Sequence, residues 1–247
     1  MKLKLFIEYD GTGYSGWQKQ KNAKTIQGTL IKAVENAFAK SKGNSKLIDL
    51  QGSGRTDSGV HAIEQISHLE CETMIAPHIL RMKINDELPA DINILEIEKA
   101  ADNFHARHSA VSRQYLYRIS RRRSAFEKRY IWWIKDDLNL KSMQEVMNLF
   151  PGMHEFKSFS DPDKENKSTK VLVESIDISE EDDLILIRIR ASHFLWKMVR
   201  RIVGTLAEAG RNNLGKKEVS DFLKNYSDIP ARLTAPPSGL FLEKVYY

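Results

Sequence analysis

Val171-Leu172-Val173-Glu174-Ser175-Ile176-Asp177-Ile178 and Leu184-Ile185-Leu186-Ile187-Arg188-Ile189-Arg190-Ala191 flank the acidic run Glu180-Glu181-Asp182-Asp183. Two runs rich in β-branched residues on either side of a short polar turn read as a hairpin. Ile185, Ile187 and Ile189 share one face, and Arg188 and Arg190 take the other, which is the period of a strand. Downstream the period becomes helical: Leu195, Met198, Val199, Ile202, Val203 and Leu206 form the apolar stripe of a long helix. Strands joined by short turns pair antiparallel, and helices alternate with them. The class is therefore α+β.

The same two periods recur upstream. Leu3, Leu5, Ile7 and Tyr9 alternate with Lys2, Lys4 and Glu8, giving a strand. A polar loop follows from Gly11 to Lys24. Ile26, Leu30, Val34 and Phe38 then mark a helix ending near Lys40, and Gly43-Asn44 opens a turn. Further strands are expected over Ala62–Leu69 and Ile92–Ile97. A short helix is expected over Pro77–Asp86, with Pro at its start and Pro89 beyond its end. Tyr115, Tyr117 and Ile119 share one strand face. Leu140–Phe150 reads as a helix with Met143, Val146, Met147 and Phe150 inward. A boundary near Ala101 divides the chain into residues 1–101 and 102–247.

The 247 residues suffice for two modest domains, and 41% hydrophobic with 29% charged residues supports a packed core. Lys plus Arg number 38 against 33 Asp plus Glu, a net charge of +5 that favours a polyanionic partner. A single cysteine, Cys71, excludes an intrachain disulfide, and no Cys/His cluster has zinc spacing, so no metal is expected. A reducing cytoplasm fits this usage. Lys2 and Lys4 precede Leu5-Phe6-Ile7, but that apolar run is too short for a secretory signal, and Glu8 and Asp10 interrupt it. No segment approaches the roughly 18 apolar residues of a membrane helix, so a soluble protein is expected.

Gly11-Thr12-Gly13-Tyr14-Ser15-Gly16 fits the dinucleotide pattern G-x-G-x-x-G and follows a strand. That pattern has to open directly into a helix that meets the pyrophosphate. Here Trp17-Gln18-Lys19-Gln20-Lys21-Asn22 intervenes, so no nicotinamide cofactor is expected. Lys19 and Lys21 suit phosphates, and Tyr14 and Trp17 suit stacking on bases or packing of the loop. Gly52-Ser53-Gly54-Arg55-Thr56-Asp57-Ser58-Gly59-Val60-His61-Ala62 is richer still. Its glycines free the backbone for a tight turn and close approach by a ligand. Asp57 sits in its middle, with Arg55 two residues before. The stretch is not a Walker loop, and an Asp in such a place is by itself usually a turn former. His61 has no partner at ligand spacing, which points to a structural role.

Gly54-Arg55-Thr56-Asp57-Ser58-Gly59-Val60-His61-Ala62 resembles the signature of the tRNA pseudouridine synthase I family, in which its Asp is the nucleophile. Four more blocks resemble that family in order. They are Ile7 to Gln18 with Thr25-Ile26-Gln27-Gly28; Phe104-His105-Ala106-Arg107 with Arg113-Gln114-Tyr115-Leu116-Tyr117; Phe194 to Leu206; and Ala235 to Leu242. Together they cover nearly the whole chain. Ser15 stands where many members have His, Glu155 stands where Asp is common, and the linker 161–169 is short and polar.

The resemblance implies that Asp57 is the catalytic carboxylate and that no cofactor takes part. It favours Arg200 as the cation that keeps Asp57 ionised. On a helical wheel Arg200 lies about 60° beyond Val203, at the edge of the stripe. Without the resemblance, Arg200 and Arg201 would read as a solvated basic face. Tyr115 would stack on the flipped base and offer its hydroxyl for proton transfer; alone it reads equally as a core tyrosine beside Tyr117. Arg55 would fill the space left by the flipped nucleotide or grip its phosphate. Arg118, Arg121, Arg122, Arg123, Lys128 and Arg129, with Arg107, Arg113, Arg188 and Arg190, would line an RNA cleft. The expected architecture is two similar α+β domains, with antiparallel sheets joined into one central sheet and a basic cleft between them. A homodimer acting on tRNA is implied, at anticodon stem-loop positions 38 to 40. Two alternatives remain: a related synthase acting on another RNA such as ribosomal RNA, and a catalytically inactive RNA-binding protein.

Overall fold

Strict alternation makes the first strand one-faced: Leu3, Leu5, Ile7 and Tyr9 are buried, and the residues between them are half-buried. From there the computed structural model runs β1 (Lys2–Tyr9), α1 (Ile26–Ala39), β2 (Lys46–Gly52), β3 (His61–Glu72), α2 (Pro77–Asn85), β4 (Ile92–Lys99), β5 (Ser112–Ser120), β6 (Trp132–Trp133), α3 (Leu140–Met147), β7 (Gly152–Glu155), β8 (Lys170–Glu181), β9 (Leu184–Ala191), α4 (Met198–Gly210), α5 (Lys216–Lys224), α6 (Ile229–Arg232) and β10 (Leu240–Tyr246). Residues 1–162 and 168–247 are described; the middle of the polar 161–169 linker lies outside them. The chain divides into two units, Met1–Val111 with Phe241–Tyr247, and Ser112–Leu240.

In the first unit β1 is antiparallel to β3 on one edge and to β4 on the other. The second edge of β3 is shared: β2 pairs with it antiparallel over Ser67–Glu72, while β10 pairs parallel at His61 and Ala62. The stripe Ile26, Leu30 and Val34 of α1 is wholly buried, as are Leu80 and Ile84 of α2. Each such side chain contributes about 1.5–3 kcal/mol of burial free energy. Thr25 caps α1 by accepting from the Gly28 N–H at 3.3 Å.

In the second unit the sheet runs β5-β9-β8-β7, all antiparallel, with β6 parallel to β5. Ile185, Ile187 and Ile189 are wholly buried, and so are Met198, Ile202, Val203 and Leu206 of α4. Phe150, Phe156 and Phe159 pack as a ring cluster with centroids 5.4–6.4 Å apart. Both units are thus mostly antiparallel sheets flanked by helices, as the α+β reading expects.

Several details differ from the sequence reading. The division falls at Val111 instead of Ala101, because segment 101–111 is tied to the first unit. Ala106 N donates to His68 Nδ1, Tyr247 Oη donates to Ala106 O, and Val111 N donates to Tyr246 O. The acidic run is only half a turn: β8 continues through Glu181, and Asp182 alone takes a left-handed conformation, at φ 52°. Leu195 precedes α4, since Lys197 at φ 63° interrupts the helical path before Met198. β2 escapes the alternation test because only Leu50 of its seven residues is buried. Arg201 does not belong to a solvated face. It is buried, donates to Ser158 O at 3.3 Å and pairs with Asp161, which Lys197 Nζ also meets at 2.6 Å.

Burial alone would raise the pKa of the Asp161 carboxyl, but Lys197 and Arg201 overcome it and hold the group below its ordinary value. A carboxyl lowered by folding stabilises the fold above its unfolded pKa, and that contribution is lost as pH falls through the lowered value. Asp161→Asn, which strands the buried Arg201, is expected to cost about 3 kcal/mol at pH 7. The gap between variant and wild type should narrow steadily below about pH 4, where the wild-type carboxyl begins to protonate. Urea midpoints measured from pH 7 downward check both points.

Candidate functional site

The glycine-rich loop that carries Asp57 is braced by the loop after β1. Trp17 N donates to Thr56 O at 3.0 Å, and the Tyr9 and Thr56 hydroxyls lie 2.8 Å apart. Ser58 Oγ donates to Tyr14 O at 2.9 Å. Val60 N donates to Asp57 O at 3.1 Å, closing a turn in which Gly59 takes φ 78°. The two loops approach so closely that glycine is required. A Cβ at Gly11 would lie 2.0 Å from Val60 O, and one at Gly16, where φ is 87°, would lie 2.7 Å from Thr56 O. A Cβ at Gly52 would meet the Trp17 indole at 2.6 Å. The first and last glycines of the G-x-G-x-x-G pattern therefore serve as a backbone clamp on the Asp57 turn. Tyr14 and Trp17 are buried, which settles their role as packing and not stacking on a base.

From the β3 side, Ser53 N donates to Ile66 O at 2.7 Å, Ser53 Oγ donates to Gln65 Oε1 at 2.6 Å, and Gln65 Nε2 donates to Gly54 O at 3.1 Å. His61 is buried, and its ring stacks on Phe241 at 4.7 Å. Its Nδ1 lies 3.1 Å from both Gly11 N and Asp10 Oδ1. That is the structural role its sequence context suggests. Asp57 itself is half-buried.

Beside this turn, Arg55 and Arg107 share a polar recess of about 380 Å³ with Trp17, Gln18, Gln27, Asp49, Gln51, Gly52 and Gly54. Its walls are fixed. Gln27 donates to Leu50 O at 2.8 Å and accepts from Lys19 N at 2.9 Å, and Asp49 accepts from Gln51 Nε2 at 2.7 Å. Two guanidiniums over amide walls suit a phosphate with a polar base edge. Lys19 and Lys21 are exposed.

The other sequence-predicted residues lie in the second unit. Tyr115 is 9% exposed and meets Phe194 edge-on at 4.9 Å; Tyr117 is wholly buried and donates to Pro236 O at 2.8 Å. Burial drives the Tyr117 hydroxyl pKa well above its ordinary value against the field of Arg200, so it stays a neutral donor. Arg200 Nε donates to Ala235 O at 2.7 Å, and Ala235 N donates back to Arg200 O at 3.0 Å. This two-way clasp works because a Cβ at Gly204 would lie 1.6 Å from Leu233 O: the turn rides directly on the helix. Arg113 donates to Ser192 O at 3.1 Å, Arg188 is half-buried, and Arg190 meets Glu174 at 2.6 Å and Ser112 Oγ at 2.9 Å. Arg118, Arg121 and Arg122 pair with Glu127, Glu180 and Asp183. Those acidic partners, Glu180 and Asp183 of the β8–β9 hairpin and Glu127 of the loop after β5, reduce the positive field that the arginine cluster suggests from sequence. Among the described residues, no group of three or more His, Cys, Asp or Glu is arranged to hold a metal.

A family model described as tRNA pseudouridine synthase matches residues 5–109 and 146–247. The tRNA pseudouridine synthase A of Thermoanaerobacter sp. (strain X514) is 38% identical over 245 residues, covering 98% of each chain. The tRNA pseudouridine synthase A 2 of Clostridium perfringens (strain 13 / Type A) is 36% identical over 247 residues, covering 99% of each. The tRNA pseudouridine synthase A of Ehrlichia chaffeensis (strain ATCC CRL-10679 / Arkansas) is 37% identical over 250 residues, covering 100% of each.

If Gly16 clamps the Asp57 turn, Gly16→Ala should destabilise the protein by about 2 kcal/mol, since it adds both backbone strain and a clash with a carbonyl. Hydrogen exchange at the Trp17 amide, which donates to Thr56 O, should speed up with it. Gly13→Ala is the control: a Cβ there meets nothing within 4 Å, so stability should hold within about 0.5 kcal/mol. Denaturant titration and amide exchange of the two variants check this.

Proposed function

The chain belongs to the tRNA pseudouridine synthase family and is an isomerase of uridine in tRNA; from this premise we propose that Asp57 is the carboxylate that carries the reaction, at the anticodon stem-loop. The observation that carries this reading is the clamp: Asp57 is the one carboxylate in a turn whose backbone is fixed on both sides by the neighbouring loop and by β3. The isomerisation breaks the bond from sugar C1′ to N1 and makes one from C1′ to C5. The C5 proton leaves and N1 gains one, so no electrons or co-reactants are exchanged. A carboxylate can serve by attacking the sugar, by deprotonating it, or by adding to the base. Each route needs a target base out of its stack and a carboxylate that does not drift.

Arg200 is assigned the task of keeping Asp57 ionised. Its clasp by Ala235 fixes the plane of the guanidinium, which supports a single bound geometry. Tyr115 is assigned the flipped base, with ring stacking and proton transfer at C5 as separable roles; Tyr117 beneath it is already committed to Pro236. Arg55 and Arg107 hold nucleotide phosphate at the recess. Lys19, Lys21, Arg113, Arg188 and Arg190 add backbone contacts that carry no sequence information. Positions 38 to 40 and a homodimer follow from the family resemblance, and a cytoplasmic setting fits the single cysteine. Among the described residues, no helix is long and apolar enough to cross a membrane.

Asp57→Asn should leave fold and RNA affinity near wild type while pseudouridine formation falls to background. Substantial product from a pure preparation would remove the assignment. Affinity for the RNA should fall with salt along a log–log slope of about −0.7 to −0.9 for each phosphate neutralised. A titration that stays flat between 50 and 200 mM salt, the range in which several phosphate contacts lose orders of magnitude of affinity, would remove the electrostatic contribution.

A further inference from the structure

Segment Phe104–Ser109 carries Arg107 into the recess, and its backbone is held in an unusual way. Three successive amides end on imidazole nitrogens. Ala106 N donates to His68 Nδ1 at 3.2 Å, and Arg107 N and His108 N donate to His105 Nδ1 at 3.2 and 3.3 Å. Consecutive N–H groups of this kind form a partly positive nest that commonly takes an anion. Here two ring lone pairs fill it. A protonated Nδ1 has no lone pair, so the turn requires both rings to be unprotonated at that atom. We infer that His68 and His105 are positioning residues for Arg107: as neutral imidazoles they hold the turn that presents its guanidinium to RNA, and protonation releases it. This rests on the reading of Arg107 as an RNA contact.

The surroundings favour the neutral rings at neutral pH. His68 is buried in β3, with its Nε2 3.5 Å from Asp49 Oδ2 on β2. Burial pulls its pKa below the ordinary value, with Lys2 of β1 adding to this and Asp49 and Glu70 opposing. His105 lies 4.6 Å from the His68 ring and 4.3 Å from the His108 ring. Burial, then His68, His108 and Lys2, lower its pKa too, with Asp49 opposing. The rest of the turn is held by groups that do not titrate in this range. Tyr247 Oη donates to Ala106 O at 2.8 Å, Ser109 N donates to His105 O at 2.9 Å, and His105 N donates to Ser109 Oγ at 3.1 Å. The imidazoles are thus the acid-labile members of the set.

The sign of the pH effect is diagnostic. Two added positive charges near an RNA site would by themselves tighten binding as pH falls. Release of Arg107 would loosen it. The test is the affinity of the full-length protein for an unmodified anticodon stem-loop transcript at pH 7.5 and pH 5.5, at fixed salt. Wild type is expected to weaken at pH 5.5, by up to about tenfold, the scale of one charge-assisted phosphate contact. His105→Asn keeps an acceptor oxygen that does not titrate; it should bind like wild type at pH 7.5 and lose less at pH 5.5. His105→Leu should bind weakly at both. Tighter wild-type binding at pH 5.5, or wild-type affinity in the Leu variant, would overturn the inference. Two further arms separate it from the reading beneath it. If Arg107→Ala binds RNA normally, it is the RNA role of Arg107 that fails. In the free protein, ¹⁵N shifts of the imidazoles report the turn alone, and a protonated Nδ1 on either ring at pH 7.5 would falsify the positioning role.

Discussion

Two carbonyl oxygens, of Val60 and Thr56, occupy the space that side chains at Gly11 and Gly16 would need. Everything assigned to Asp57 depends on that contact. A short surface turn of this kind would otherwise sample many conformations, and holding one residue in one backbone well costs about 1–2 kcal/mol. Here the cost is met by a set of bonds from outside the turn: Trp17 N to Thr56 O, Ser58 Oγ to Tyr14 O, and Gln65 Nε2 to Gly54 O. The buried Trp17 indole under Gly52 adds apolar contact to the same joint. The result is a carboxylate on a rigid mount, as the role proposed for Asp57 requires.

The second unit solves the same problem by different means. Arg200 sits on α4, and its direction is fixed by a turn pressed against that helix at Gly204. The turn takes three bonds: from Arg200 Nε, back to the Arg200 carbonyl, and, at Pro236, from the Tyr117 hydroxyl. One short segment, Leu233 to Pro236, therefore orients the arginine and anchors the tyrosine that lies two residues beyond Tyr115 on β5. In each unit, taken by itself, a group proposed for the site hangs from a backbone-to-backbone approach that only glycine permits.

Much of this was legible in the sequence where a side-chain period reports burial directly. Leu3, Leu5, Ile7 and Tyr9 gave β1, Ile26 to Phe38 gave α1, and the α4 stripe from Met198 to Leu206 is buried as read. What the sequence could not convey is which partner a polar group finds. Arg201 sits beside Arg200 in the chain, yet it is buried against Asp161, forty residues away. Arg121 and Arg122 look like part of a basic face until the β8–β9 hairpin delivers Glu180 and Asp183. β2 and β10 are strands by pairing more than by pattern. The G-x-G-x-x-G loop shows the limit from another side: its glycines answer to a carbonyl in a different loop, and no local rule names that carbonyl. The Asp57 turn was recognisable because a motif resemblance compresses such tertiary information into adjacent letters.

The parallel pairing of β10 with the start of β3 has a consequence for the order of assembly. Phe241 stacks on His61, whose ring nitrogen lies against Gly11 at the root of the clamp, yet the whole second unit separates these two residues in the chain. During synthesis, which adds about 5–20 residues per second, a first unit can gather β1 to β4 early. Its sheet stays open at the edge by His61 until β10 emerges. The long loop that must close to bring it there adds an entropic cost that rises only slowly with length, so the delay is chiefly one of availability. A nascent chain thus carries the Asp57 turn incompletely walled, and that turn reaches its final surroundings only when β10 arrives. The walls of that turn are therefore closed late, by a strand that follows the whole second unit in the chain.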